Sequence, residues 1–413
     1  MLKTHRNYII GASVSNVLRN GKFKIMIKIP KVILLLESAR APDQCLLRGI
    51  AKYSSLHGPW FFYRNQPTYL NPYSRNKKIL SELKNLNPDG IITIDSKRLE
   101  DILALGVPTI VANIQQNRFP KASYISSDPN AIGEMAADYL LERGFRQFAF
   151  CGYSNMPWSH DRAECFAKHI ADKGYKTCFY LRQKTRTKSY ENDQIHMADW
   201  LSSLKKPVAI LACNDDRCQD IVEACKLGGI NIPIEIALLG IDNDEFICDL
   251  SHPSISSIAL NTEKAGYLAA ELLDRLMKGE KTANQTILSK PTHIVTRQST
   301  DILSIEDKAV AEAMRFILSH AKKAIQVTDV INTVLVSRRV LERRFRDALG
   351  RSIHDEIRRT RTAQISRMLI ETTLTISEIA TALDFPGIEH MARYYGKEKG
   401  MSLMAYRKNY GKK

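Results

Sequence analysis

Arg339, Arg343 and Arg346 fall at the spacing that puts side chains on one face of a helix, and Glu389, His390, Arg393 and Lys397 repeat the arrangement further along the chain. Behind the first set stand Leu341, Phe345 and Ala348, and behind the second Ile388, Met391, Ala392 and Tyr395. The apolar stripe suits packing against other helices, and the charged stripe suits a nucleic-acid groove. Arg338 and Glu342 lie beside the first set. A second group lies earlier: Arg40, Asp128, Trp158, Arg162, Asp215 and Asp242, with Ser38 and Asn214 beside them, each just after an apolar run. Charged and amide groups that bond two hydroxyls at once, plus a ring for a C–H face, suit a neutral sugar. An Asp in such a place also serves as the N-cap of the next helix, Arg162 suits a surface ion pair and Trp158 suits a core. There is no phosphate-cradling glycine loop, no metal-ligand spacing and no nucleophile–base motif, so neither catalysis nor a cofactor or metal is expected.

The basic stripes belong to two helix-turn-helix patterns, Val327 to Gly350 and Thr375 to Gly400, joined by a helical stretch from Ile353 to Ile370. Ser337 is positioned to N-cap the second helix of the first unit. One amphipathic pair is weak evidence and two in tandem are strong. On Ser337, Leu341, Phe345, Gly350, Ile376 to Ala380, Phe385, Arg393, Gly400, Tyr406 and Arg407, this part resembles the DNA-binding domain of the AraC/XylS regulators. Leu335 and Asp384 stand where that family usually has turn glycines, and Gly396 and Leu403 replace a usual lysine and proline. The second unit therefore reads as the more degenerate.

From Pro30 onward, short apolar runs alternate with helical patterns: Val32 to Glu37, Gly90 to Asp95, Pro108 to Asn113, Gln147 to Gly152, Val208 to Asp215 and Ile236 to Glu245. Such alternation predicts parallel sheets covered by helices on both faces, with ligands outside the carboxyl ends of the strands. Asp128 to Gly133, Asn214-Asp215, Gly240 to Asn243, Ser256 to Ile258 and Gly266-Tyr267 resemble the sugar-sensing core of the LacI/GalR regulators and periplasmic sugar-binding proteins. The expected fold is an α/β two-lobed periplasmic-binding-protein-like sensor domain followed by an all-α domain with two helix-turn-helix motifs. By this resemblance Arg162, Asp215 and Asp242 match sugar-contacting positions. The segment Ala41 to Cys45 departs from what the group shows, where Tyr, Gly and Arg are frequent.

The formal charge of +16 over 413 residues is uneven. Residues 306–413 hold 21 Lys/Arg against 13 Asp/Glu, and residues 1–31 hold seven Lys/Arg and no acid. A basic helical domain on a near-neutral middle fits phosphate-backbone binding. The eight cysteines form no CxxC pair and read as reduced thiols. No apolar run approaches the roughly 18 residues that span a membrane. The domain reading is a basic, disordered leader at 1–30, the sensor domain at 31–280, a linker at 281–305 and the DNA-binding domain at 306–413.

The resemblance implies a cytoplasmic regulator that binds double-stranded operator DNA as a homodimer and activates pentose catabolism genes with RNA polymerase. Its effector would be a sugar, D-xylose first, which closes the sensor lobes and repositions the helices. The main alternative is a regulator of the same build for another sugar. A transport receptor would lack the helical domain. An alkyl-transfer DNA repair protein would need a four-cysteine zinc site and a Cys followed by His, and no Cys here is followed by His.

Overall fold

The computed structural model describes residues 14–19, 22–27, 29–37, 39–64, 79–94, 98–112, 119, 122–182, 190–281, 284–301, 305 and 307–410. The chain forms two units, Met1–Asp128 with Asn261–Lys290, and Pro129–Leu260 with Pro291–Lys413. It therefore passes from one to the other three times.

In the first unit a six-stranded parallel sheet runs in the order Thr286–Ser289, Ser123–Ser127, Thr109–Ala112, Gly90–Ile94, Lys31–Leu35, Phe61–Arg64. Its interior strands are nearly continuous Val, Ile and Leu because helices cover both faces. One face packs on Ala41–His57 and Thr262–Met277, through Leu46, Ile50, Ala269 and Leu273. These two helices touch backbone to backbone. A Cβ on Gly49 would lie 1.9 Å from the Glu263 carbonyl oxygen, and one on Gly266 would lie 2.2 Å from that of Leu46. Only glycine allows that approach.

The second unit holds a six-stranded sheet in the order Pro291–Val295, Ser256–Leu260, Ile236–Ile241, Val208–Ala212, Phe148–Tyr153, Thr177–Arg182, parallel except for its first pair. Phe148–Tyr153, Val208–Ala212 and Ile236–Ile241 are buried along their whole length. Pro157–Asp172 and Asp215–Leu227 each follow one of these strands directly, so their first turns sit at its carboxyl end.

The same unit carries the helical domain. Lys308–Ser319, Val327–Ile331 and Arg338–Leu349 close one core around Met314, Leu341 and Phe345; Ile376–Ala382, Ile388–Lys399 and Leu403–Tyr410 close another around Met391, Tyr395 and Tyr406. Ile353–Glu371 serves both, with Ile353 and Ile357 in the first and Ile365 and Leu369 in the second. Thr375 and Glu378 form a reciprocal capping box, and Gly350 and Gly400 end their helices in the left-handed conformation. Among the contacts that tie the helices to the second sheet's part, Arg146 Nη2 donates to the Ala348 carbonyl at 2.8 Å, and Arg359 pairs with Glu142.

Two boundary expectations need correction. The stretch 281–305 is no linker over most of its length, since Thr286–Ser289 and Pro291–Val295 add an edge strand to each sheet and Gln298–Thr300 is a 3-10 turn. Edge strands are half covered and need few apolar residues, which hid them. The leader contains an antiparallel hairpin, Val14–Arg19 with Lys22–Ile27. Residues 1–13, and Ser38 of the strand-end group, lie outside the described residues.

Candidate effector site and nucleic-acid interface

Arg162 projects from Pro157–Asp172 and is only 6% exposed. One nitrogen donates to the Cys213 carbonyl at 2.5 Å, and another reaches Asp242 Oδ1 at 3.4 Å. Its guanidinium carbon lies 5.3 Å from the Trp158 ring centroid, and Trp158 meets Tyr153 edge to face. Arg162 is therefore no surface group, while Trp158 both packs against the core and turns its ring to the guanidinium. Asp242 and Asn243 have φ of 104° and 49°, both in the region that favours glycine.

Asp215 is 1% exposed. Oδ1 accepts from Ser257 Oγ at 2.6 Å and Oδ2 from the Asp244 backbone N–H at 2.7 Å. Burial first, and then the charge on Asp242, push its pKa well up, against the pull of these two donors. The helix is capped by Asn214 instead, which accepts from the Arg217 N–H at 3.0 Å. The structure thus brings Trp158, Arg162, Asp215 and Asp242 to one end of the second unit's sheet. Arg40 and Asp128 belong to the first unit. Arg40 precedes Ala41–His57, with its carbonyl accepting from Gln44 N at 3.0 Å, and the half-buried Asp128 donates its N–H to Ser289 O at 3.0 Å.

Sequence reasoning missed three neighbours. Ser257 is fully buried within the strand. Arg297 donates to Asn243 Oδ1 and to Ile255 O, each at 3.0 Å. Arg217, 1% exposed, binds Asp193 at 2.9 Å and Asp220 at 3.0 Å under the rings of Tyr153 and Tyr180. The polar Ser256-Ser257 pair in a strand was a usable signal; the two arginines carry no local pattern.

On Arg338–Leu349, Leu341, Phe345 and Leu349 are buried, while Arg338, Arg339, Arg343 and Arg346 are exposed and Glu342 is half-buried. Arg338 and Glu342 pair at 2.8 Å along the helix, and Arg344 pairs with Asp307 at 3.4 Å. Ser337 occupies the N-cap position with extended backbone, yet its side chain makes no capping bond. On Ile388–Lys399, Met391 and Tyr395 point inward and Glu389, His390, Arg393 and Lys397 outward. Ile388 and Ala392 do not point inward as expected: both are exposed, so the buried stripe of this helix is narrower than its apolar residues suggest. Asp384 adopts φ of 55° where a turn glycine was expected, and Leu335 is fully exposed. Among the described residues no cluster of His, Cys, Asp or Glu is placed to hold a metal, and no helix is long and apolar enough to cross a membrane.

A parallel-sheet sensor with buried charges at its strand ends, joined to paired helix-turn-helix units with exposed basic faces, defines a ligand-sensing, DNA-binding transcription regulator. Residues 137–300 match the periplasmic binding protein-like domain and residues 332–409 a helix-turn-helix domain. The xylose operon regulatory protein of Escherichia coli strain K12 is 30% identical over 386 residues, covering 91% of this chain and 96% of the relative. That of Haemophilus influenzae is 30% identical over 92% of this chain and 98% of its own. A solved xylose-binding transcription activator superposes with a TM-score of 0.58 at 30% identity, covering 93% of this chain and 99% of the other. The chain belongs to the family of xylose operon regulatory proteins, which are transcription regulators.

Proposed function

We propose that this regulator senses a pentose, D-xylose, and activates genes of its catabolism in the cytoplasm, as a homodimer acting with RNA polymerase. The observation that carries the reading is Arg162 with Asp242 and Trp158: a buried cation, a carboxylate and a ring at one end of the sheet. Arg162 and Asp242 bond sugar hydroxyls and Trp158 covers a C–H face. A sugar that prefers the closed sensor stabilises that state by its differential contacts alone. Arg146 on the Ala348 carbonyl and Glu142 on Arg359 then carry the change to the helices. Arg339, Glu342, Arg343, His390 and Arg393 read bases, with Glu389 beside them, and Arg338, Arg346 and Lys397 hold phosphates. In each subunit the two reading helices enter major-groove segments roughly 34 Å apart.

Melting the protein against a panel of aldopentoses and hexoses tests the effector. D-xylose at a hundredfold excess over Kd should stabilise the fold by about 2.7 kcal/mol. Stabilisation by a hexose alone would establish the alternative, a regulator of this build for another sugar. That alternative rests on the unusual Ala41 to Cys45 segment, which forms the first turn of Ala41–His57. If no sugar shifts the melt, the effector reading is wrong.

A further inference from the structure

Both oxygens of Asp215 are already engaged inside the protein, and this separates it from the groups around it. Oδ2 takes the Asp244 N–H at 2.7 Å and Oδ1 takes the Ser257 hydroxyl at 2.6 Å. The same Ser257 oxygen accepts the Asn243 N–H at 3.0 Å, and the Asp242 N–H goes to Ile258 O at 2.9 Å. Three successive backbone donors of the turn are therefore held, two of them by the Asp215–Ser257 pair. The turn needs holding, since Asp242 and Asn243 are non-glycine residues at positive φ and such backbone persists only where its surroundings over-determine it. Gly240 completes the seat: a Cβ there would fall 2.2 Å from Asp215 Oδ1. At 1% exposure Asp215 offers no surface to a ligand.

We infer that Asp215 is a positioning residue which, with Ser257, fixes the Asp242–Asn243 turn so that Asp242 meets the effector, and that Asp215 itself does not touch the effector. This rests on the reading of Asp242 as an effector contact. Ser257 is buried completely, so any effect of its hydroxyl on the effector passes through the turn.

The test uses the full chain, D-xylose, and xylose analogues each lacking one hydroxyl, with calorimetric affinities for wild type, Ser257→Ala, Asp215→Asn and Asp242→Asn. Operator binding without sugar certifies that each variant is folded. Ser257→Ala should weaken D-xylose binding about tenfold. The deoxy analogue whose affinity changes least should be the same for Ser257→Ala, Asp215→Asn and Asp242→Asn, because all three lose one contact. The double variant Ser257→Ala with Asp215→Asn should bind little worse than either alone, as members of one unit do not add. Wild-type affinity in Ser257→Ala overturns the inference. So does an Asp215→Asn pattern that singles out a different hydroxyl, which would make Asp215 a ligand in its own right. If Asp215→Asn fails to fold, the Ser257→Ala pattern decides alone. Should wild type bind neither D-xylose nor any analogue, the effector reading fails and the inference falls with it.

Discussion

The strand-end site and the first basic helix use arginine in opposite ways. Arg162 is almost wholly buried, with a carbonyl, a carboxylate and a ring around it. Arg339, Arg343 and Arg346 stand in water on a helix whose other face is core. A desolvated cation held by neighbours is pre-organised to recognise hydroxyls by geometry, and removing it strands its partner. An exposed cation draws affinity from counterion release and stays adaptable until a groove arrives. The two regions thus hold the same side chain in contrasting surroundings.

The comparison breaks most visibly at Arg162. Arg162→Ala removes a buried cation that bonds the Cys213 carbonyl and pairs with Asp242, so the sensor should lose about 3–5 kcal/mol in denaturant unfolding and all sugar response. A loss under about 1 kcal/mol would mean that water replaces the cation freely and that the site is not pre-organised. On the helix the effect should move from stability to selectivity. Arg343→Ala should leave unfolding unchanged but reduce discrimination between operator and mismatched DNA by about 1–3 kcal/mol in competition titrations. Equal weakening on every sequence would reassign Arg343 to phosphates. Lys397→Ala should weaken all DNA alike and lower the slope of log affinity against log salt by about 1, while sugar affinity stays level over the same salt range. The smallest change sharpens the reading of the second helix-turn-helix as the weaker unit. Gly396 lies inside Ile388–Lys399, and a methyl group there would meet nothing within 4 Å, so Gly396→Ala should raise stability by about 1 kcal/mol in thermal unfolding.

How far each region could be read from the chain follows from the same contrast. Leu341 and Phe345 repeat at helical spacing, so the exposed arginines opposite them were legible from periodicity alone. In the second unit Met391 and Tyr395 followed the pattern, whereas Ile388 and Ala392 are exposed, because the width of a buried stripe is set by what packs against it and not by its own period. The strand-end residues were legible as a set, since each comes directly after a buried strand. Their separate tasks were not. Asp215 and Asp242 are both acids at strand ends, and only the fold shows that one has its two oxygens turned inward to Ser257 and Asp244.

Local pattern by itself determined the order of domains, the parallel α/β character of the sensor, the tandem helix-turn-helix units and which of their faces carry charge. These follow from periods of two and 3.6 residues and from turn chemistry, which act between near neighbours. Tertiary structure alone decided that Arg297 would brace Asn243, that Thr286–Ser289 and Pro291–Val295 would complete two different sheets, and that Arg146 would reach the end of a helix 202 residues away. Each of those pairings joins residues with no shared local pattern. Which partner a buried donor finds is set by the packing of whole elements, and no short stretch of sequence encodes it.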